Sequence, residues 1–182
     1  MVICKGKMKM KKLKIVMNAA RCTEKGRMLF DKGEFEEALH EFNKAIDLDY
    51  NYFEGWEGKL MTLQVLQRYE EALGTIDKAL ETDADKFYFI AVKGLCYQEM
   101  GELHEALHMY EKIIEEEPDS SGAWFYKAQV LLRLKETELA FEAFSKVIEI
   151  EPEHIDAWCE KGEILLKEER YEEALEFYQK KR

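Results

Sequence analysis

The sequence predicts an all-α protein in which antiparallel helical hairpins stack one on the next. Three observations support this prediction: a pattern of residues returns at a constant interval, apolar residues within each copy follow the period of an α-helix, and turn-forming residues separate the helices. The composition agrees, because a chain that is 47% hydrophobic and 36% charged, with two prolines among 182 residues, is typical of a helix-rich globular domain.

The repeat is clearest around a run of five residues that contains an alanine. The run at 35–39, Phe-Glu-Glu-Ala-Leu, returns in similar form at 69–73, 103–107, 137–141 and 171–175. The interval is the same each time, and no insertion disturbs it. A constant interval within about 20–50 residues indicates an array in which each copy is one supersecondary unit. The alanines are Ala38, Ala72, Ala106, Ala140 and Ala174.

Other positions keep the same interval and a constant character. One is mostly aromatic, one is large and apolar, one is small in four copies of five, and one is always bulky. A small residue lets two helix axes approach closely, and a bulky residue of the partner fills the space beside it. Leu60 breaks the small column and is expected to splay the second hairpin. The columns are Cys22, Trp56, Ile90, Trp124 and Trp158; Leu29, Leu63, Tyr97, Leu131 and Leu165; Gly26, Leu60, Gly94, Ala128 and Gly162; and Phe42, Ile76, Tyr110, Phe144 and Tyr178.

Each copy contains the pattern of two helices separated by a turn. Trp158, Gly162 and Leu165 are spaced i, i+4, i+7, which places them on one face of a helix. Turn signals occur at two kinds of place, with Gly33 inside the first copy and Pro118 between the third and the fourth. One copy is therefore predicted to be a helical hairpin.

With this interval, a Trp-small-Leu first helix, an alanine followed by a bulky residue in the second, and a late proline, the chain resembles the tetratricopeptide-repeat family. The resemblance covers residues 19–182 and implies a right-handed superhelical α-solenoid whose first helices line a concave groove. Thr137 and Leu103 depart from the aromatic residue found at the same place in other copies. The implied repeats are 19–52, 53–86, 87–120, 121–154 and 155–182, after a basic segment 1–18 that is either disordered or a helix leading into the first repeat.

If the packing columns face inward, the other edge of each first helix lines the groove. This edge is apolar and aromatic in the third and fourth repeats and acidic in the fifth. Aromatic side chains in a concave surface commonly anchor a peptide or a helix, although they can also simply support the superhelix. We predict a protein-interaction scaffold whose partner has apolar side chains and basic flanks. The predicted groove residues are Tyr88, Val92, Leu95, Phe125, Tyr126, Gln129, Asp156, Glu160 and Glu163.

One recognition mode of the family is predicted to be absent. Some of its members grip a C-terminal carboxylate with lysine, arginine and asparagine side chains at two groove positions of each repeat. An anionic tail has no favourable partner where these positions lack cationic donors. In this chain they are Thr23, Glu57, Ala91, Phe125 and Cys159, and Glu24, Gly58, Val92, Tyr126 and Glu160.

The distribution of charge and of cysteine excludes further classes. The formal net charge is -11, although the segment 1–18 holds six lysines and no acid, so the remainder is more acidic still. An acidic body repels a phosphate backbone, and we therefore expect no nucleic-acid partner. No apolar run approaches the roughly 18–20 residues of a membrane span. Four widely spaced cysteines favour reduced thiols, so we expect a cytoplasmic protein without a membrane partner.

Two motifs suggest enzyme chemistry that the repeat explains better. The run 104–108, His-Glu-Ala-Leu-His, matches the HExxH signature of zinc proteases. Its alanine belongs to the packing column, which places both histidines on the outer face, away from any cleft or third ligand. Cys159 has only His154 nearby as a potential base, and a small core or groove residue is the favoured interpretation. We expect no metal, no cofactor and no catalytic activity.

The last repeat suggests self-association. Repeat arrays usually end in a polar capping helix, and none follows Arg182. Leu175 and Tyr178 are then expected to be partly uncovered, and exposed apolar surface often marks an interface. A homodimer is therefore predicted. A self-assembling structural module and a non-catalytic subunit of a larger complex are the alternatives to a groove-binding scaffold.

Overall fold

The structure, a computed structural model, describes residues 2–82 and 85–180, apart from the side chains of residues 2–9, 11, 178 and 180. All regular structure in these residues is helical, which confirms the predicted all-α class. The helices are α1 Val2–Asp31, α2 Phe35–Leu48, α3 Phe53–Val65, α4 Tyr69–Ala79, α5 Lys86–Met100, α6 Leu103–Glu116, α7 Ser121–Arg133, α8 Thr137–Ile150, α9 Ile155–Lys167 and α10 Tyr171–Lys180.

The helices belong to two compact units that divide between Cys96 and Tyr97, inside α5. In the first unit α1 packs on α2, α2 on α3, and α3 on α4. In the second unit α6 packs on α7, α7 on α8, α8 on α9, and α9 on α10. Short turns connect these neighbours, so that successive helices run antiparallel. The predicted repeat region 19–182 thus extends over both units.

The second helices α2, α4, α6 and α8 each bury the bulky residue of their repeat. Phe42, Ile76, Tyr110 and Phe144 are all fully buried. The ring of Phe42 fills the space beside two glycines, because a Cβ atom built on Gly26 or on Gly58 would lie 2.7 or 2.3 Å from it. The sequence pattern identified Gly26 as the small packing residue of α1, but it placed Gly58 of α3 at a groove position. Leu60, the large residue of the small column, is also fully buried in the core.

The turn inside each hairpin repeats the same backbone geometry. A residue with positive φ follows each first helix, and its N–H and the next N–H bond to carbonyls at the end of that helix. In the fourth hairpin, for example, the N–H of Glu136 donates to the carbonyl of Leu131 at 2.9 Å. This is a Schellman motif, which terminates a helix and satisfies its last carbonyls. The left-handed residues are Gly33, Gln67, Gly101, Lys135 and Glu169, which keep the constant interval of the repeat.

Tryptophans of the mostly aromatic column in the first helices form hydrogen bonds to the loop between hairpins. The indole N–H of Trp56 donates to the carbonyl of Tyr50 at 2.7 Å. Trp124 makes the equivalent bond to Pro118 at 2.8 Å, and Trp158 makes it to Pro152 at 2.7 Å. The tryptophans of this column therefore do more than pack, because they also fix how the chain enters α3, α7 and α9.

The basic N-terminal segment is helical from residue 2 onward, as part of α1. Ala19 is fully buried where α1 enters the first hairpin. Met10, Leu13 and Met17 point outward, with exposed fractions of 58, 53 and 58%.

Two glycines on neighbouring helices predict opposite effects of the same substitution. Gly58→Ala places a methyl group inside the buried ring of Phe42, and we expect the free energy of unfolding to fall by about 2 kcal/mol. Gly74 on α4 has open space around its Cβ position. Gly74→Ala should therefore raise the free energy of unfolding by about 1 kcal/mol, because alanine has the higher helix propensity. Denaturant unfolding measures both. Equal effects of the two substitutions would contradict this packing.

The turn geometry generates a second pair of variants. Lys135 has φ +63°, a conformation that costs an L-residue energy and glycine very little. We expect Lys135→Gly to raise the free energy of unfolding by about 0.5–1 kcal/mol, after allowance for the freedom of glycine in the unfolded chain. Gly33→Ala, at the equivalent turn, should lower it by about 1 kcal/mol. Thermal and denaturant unfolding provide the comparison. Destabilisation by Lys135→Gly would show that the positive φ at Lys135 does not strain the backbone.

Candidate peptide-binding surfaces

The first unit presents an aromatic cluster where α3 and α5 meet. The ring of Tyr88 lies edge-on to those of Phe53 and Phe89, with centroids 5.0 and 5.4 Å away. Phe89 is fully buried, whereas Tyr88 and Phe53 are half-buried. The cluster therefore has one ring in the core and two rings that reach the surface. We call Phe53, Tyr88 and Phe89 the Tyr88 cluster.

The hydroxyl of Tyr88 is held in its neutral form. Burial raises the pKa of Tyr88 to about 12, and the negative charge of Glu57 acts in the same direction. Glu57 itself is bound by Arg27, with 3.1 Å between Nη2 and Oε2. At physiological pH the phenol is neutral, as it is at the ordinary pKa of 10.0, and it can both donate and accept a hydrogen bond. This gives the edge of an apolar cluster one polar function.

The two aliphatic residues predicted beside Tyr88 differ in accessibility. Leu95 is half-buried, but Val92 has an exposed fraction of only 6% and belongs to the hydrophobic core. The reason is the orientation of α5, whose core face runs through Phe89, Val92 and Cys96 at i, i+3, i+7. The expected groove position of Val92 is thus corrected: its side chain supports the cluster from beneath and offers little surface to a partner.

In the second unit, the predicted pair Phe125 and Tyr126 on α7 rests on buried rings. Tyr126 stacks on Tyr110 of α6, with centroids 5.5 Å apart and planes inclined by 19°. Phe125 stacks on His154 at 4.7 Å and lies edge-on to Phe144 of α8 at 5.7 Å. Both residues remain half-buried, so each has a packed side and an accessible side. The pair is called the Phe125 patch.

His154 is a contributor to this patch that the sequence did not reveal. It is the N-cap of α9, and its Nδ1 accepts the backbone N–H of Ala157 at 3.3 Å. This bond holds the imidazole where it covers Phe125. Only the packing of α7 against the loop between α8 and α9 brings the ring to the patch. Cys159, the residue considered as its partner, is an exposed free thiol.

The polar residues predicted around the patch lie in different surroundings. Gln129 is half-buried one turn further along α7, and Asp156 is exposed in the first turn of α9. Glu160 is half-buried and lines a cavity of about 380 Å³ that also includes Lys167. Glu163 is exposed and accepts a bond from Lys167 at 3.2 Å. Asp156 and Glu160 have no ion-pair partner within residues 2–82 and 85–180, so they carry the acidic character of this region.

A larger cavity of about 640 Å³ lies in the second unit, on α6, α7 and α8. Its lining does not include Phe125 or Tyr126, and its apolar floor is bordered by charged side chains. The sequence offered one signal for it, the apolar Leu139 on a second helix, which is 50% exposed. We call it the α6–α8 cavity. The floor consists of Leu107, Trp124, Leu131, Leu139 and Phe141, and two of the border residues are Glu136 and Glu142.

The described residues contain no assembled metal centre. His104 and His108 of the HExxH run are exposed, whereas Ala106 between them is fully buried, so the histidines lie on the outer face. No group of three or more histidine, cysteine, aspartate and glutamate side chains in the described part is placed to hold a metal ion. None of the helices described is long and apolar enough to cross a membrane.

Two residues were expected to mediate self-association, and the structure describes the side chain of one of them. Leu175 on α10 is 61% exposed. The side chain of Tyr178 lies outside the described residues. The predicted homodimer therefore stays a prediction.

Comparisons with known families identify the repeat. The model of the tetratricopeptide repeat matches residues 23–87. The model of subunit 3 of the anaphase-promoting complex, or cyclosome, matches residues 65–147 and 99–181. Together the matches extend over residues 23–181, which is nearly all of the predicted repeat region.

Similar solved structures include several helical repeat proteins. MamA of Desulfovibrio magneticus RS-1 is 21% identical with a TM-score of 0.71, over 90% of this chain and 92% of that chain. PilF of Pseudomonas aeruginosa is 20% identical with a TM-score of 0.76, over 91 and 76%. YrrB, a TPR protein with an unusual peptide-binding site, is 24% identical with a TM-score of 0.62, over 90 and 84%. At these identities the similarity shows the fold alone.

One similar curated protein is an uncharacterised protein of Methanocaldococcus jannaschii. It is 47% identical over 46 residues, which are 25% of this chain and 54% of that protein. The match thus spans about half the length of the relative. It adds a sequence relative of the repeat but no activity.

The raised pKa of Tyr88 predicts how this residue affects stability at alkaline pH. The folded chain keeps the phenolic proton up to about pH 12, whereas the unfolded chain releases it near 10.0. This contribution to stability is complete below pH 10.0 and is lost as the pH rises toward 12. Relative to Tyr88→Phe, the wild type should therefore lose unfolding free energy across this window. Denaturant titrations at successive pH values measure it, and parallel profiles would exclude the shift.

Proposed function

Because the chain belongs to the tetratricopeptide-repeat family, we propose that it is a protein-interaction scaffold whose second unit binds a peptide or helix at the Phe125 patch. The observation that carries this proposal is the pair of half-exposed rings, Phe125 and Tyr126, each stacked on another ring. Repeats of this family typically act as scaffolds without catalysis. The proposal therefore concerns binding.

The patch has the properties of a preformed anchor site. Aromatic side chains supply large contact areas and need few torsions to be ordered. Tyr110 beneath Tyr126 is fully buried, and the ring of His154 is fixed by its cap bond, so the accessible faces are already ordered before a partner arrives. A rigid site loses little conformational entropy on binding, which favours affinity.

The surroundings of the patch indicate the chemistry of the partner. Asp156 follows His154 by two residues, in the first turn of α9, and has no ion-pair partner within the described residues. Phe125 and Tyr126 occupy the positions where a carboxylate-gripping repeat carries cations. An apolar or aromatic side chain flanked by lysine or arginine fits these charges better than an anionic tail. A peptide-binding site in YrrB is compatible with this use of the fold.

A second candidate function is self-association through α10. The exposed side chain of Leu175, on the last helix of the second unit, favours it. This surface is separate from the Phe125 patch in the sequence, since it belongs to the fifth repeat, and it can be altered independently. The two functions are therefore distinguishable by mutation.

Peptide selection with the full chain tests the groove. We expect displayed peptides that bind the wild type to share an aromatic or large aliphatic residue next to lysine or arginine. Phe125→Ala and Tyr126→Ala should each weaken binding of a selected peptide at least about tenfold, or about 1.4 kcal/mol. Asp156→Lys should weaken the basic peptides further, because it reverses the nearby charge.

Tyr171→Ala is the matched control, since it removes an aromatic ring that is 61% exposed elsewhere in the second unit. It should leave peptide binding unchanged. Circular dichroism verifies that the patch variants stay helical. Selection of acidic C-terminal tails, or equal binding by wild type and folded patch variants, would refute the proposed groove.

A further inference from the structure

The outer face of α1 is an exposed apolar stripe flanked by cations. Met10, Leu13 and Met17, all more than half exposed, follow one another at i, i+3, i+7. Lys14 and Arg21 lie on the same helical face, at i+4 and i+11 from Met10, and both are exposed. Neither has a carboxylate partner within the described residues. A stripe of this kind on a surface helix usually marks an interface.

The α6–α8 cavity has the complementary character. Four glutamates and two lysines border its apolar floor. Lys127 binds Glu111 at 2.9 Å and Lys146 binds Glu149 at 2.6 Å, so both lysines are already neutralised. The remaining carboxylates, Glu136 and Glu142, have no ion-pair partner among the side chains described. The cavity therefore combines apolar walls with two uncompensated negative charges.

We propose that α1 of one copy docks into the α6–α8 cavity of a second copy of this chain. Met10, Leu13 and Met17 would fill the apolar floor, and the unbranched methionines can adapt to an irregular cavity. The charges also match in spacing. At 1.5 Å per helical residue, Lys14 and Arg21 are separated by about 10 Å along the axis of α1. Glu136, the N-cap of α8, and Glu142 are separated by about 9 Å along the axis of α8.

Charge complementarity is what selects a second copy as the occupant. Every copy carries both the cationic apolar stripe and the acidic apolar cavity, so a solution of the pure chain contains both halves of the interface. The contact joins two different surfaces, and it closes into a dimer when it is reciprocal or extends into a chain when it is not. Phe125 and Tyr126 do not line this cavity, so the contact leaves the proposed peptide site available.

A charge exchange between two full-length variants tests the proposal. The first variant is Lys14→Glu with Arg21→Glu, and the second is Glu136→Lys with Glu142→Lys. Light scattering at an ionic strength of about 0.01 M, where screening is weak, should show association for the wild type and monomers for each variant alone. An equimolar mixture should associate again, because each reversed surface meets its reversed partner. Added salt should weaken association in both cases.

Two single substitutions complete the design. Leu13→Asp should abolish wild-type association, since it places a charge in the apolar stripe without touching the core. Leu175→Glu should leave association intact, because it alters α10 and neither docking surface. Circular dichroism and thermal unfolding verify that all variants fold, as the altered side chains are exposed.

Several results would overturn the proposal. They are a monomeric wild type at tens of micromolar, folded charge variants that associate as the wild type does, and a mixture that stays monomeric. Loss of association in Leu175→Glu with retention in Leu13→Asp would assign self-association to α10 instead. None of these results depends on peptide binding at the Phe125 patch, so each proposal stands or falls separately.

Discussion

The contact on which the rest of the structure depends is the burial of one bulky residue from each of the second helices α2, α4, α6 and α8. Phe42 shows it most clearly, because its ring occupies the space that Gly26 leaves in α1 and that Gly58 leaves in α3. Both first helices can approach α2 only because neither has a Cβ atom there. Close packing of this kind tolerates little change in volume, and it explains why the bulky column is fully buried in all four described cases.

The same buried residues also build the candidate binding surface. Tyr110 and Phe144 belong to the bulky column, and in the second unit they lie directly against Tyr126 and Phe125. Tyr110 thus orients the ring of Tyr126 on the first helix of the next repeat. Phe144 orients the ring of Phe125 on the first helix of its own repeat. Stability and recognition are coupled at these positions, since a change in the buried ring would displace the exposed one.

Part of the candidate site could be predicted and part could not. The constant register of the repeat placed Phe125 and Tyr126 on the accessible edge of α7, where the structure also has them half-buried. The register failed for Val92, because the core of the first unit covers the edge of α5 on which it lies. The repeat pattern also did not indicate His154, because its ring reaches Phe125 from a loop outside the first helices. Helical spacing says which residues share a face, but loops and neighbouring helices decide what covers that face.

By itself, the sequence determined the interval, the hairpins, the buried columns and the charge contrast between the segment 1–18 and the remainder. These properties are local or periodic, so composition and spacing are sufficient to predict them. Only the tertiary structure decided how far each helix is rotated against its neighbours. That rotation buries Val92, brings His154 over Phe125, and opens the α6–α8 cavity beside Glu136 and Glu142. It depends on the volumes of all the side chains in contact, which no single column of the repeat contains.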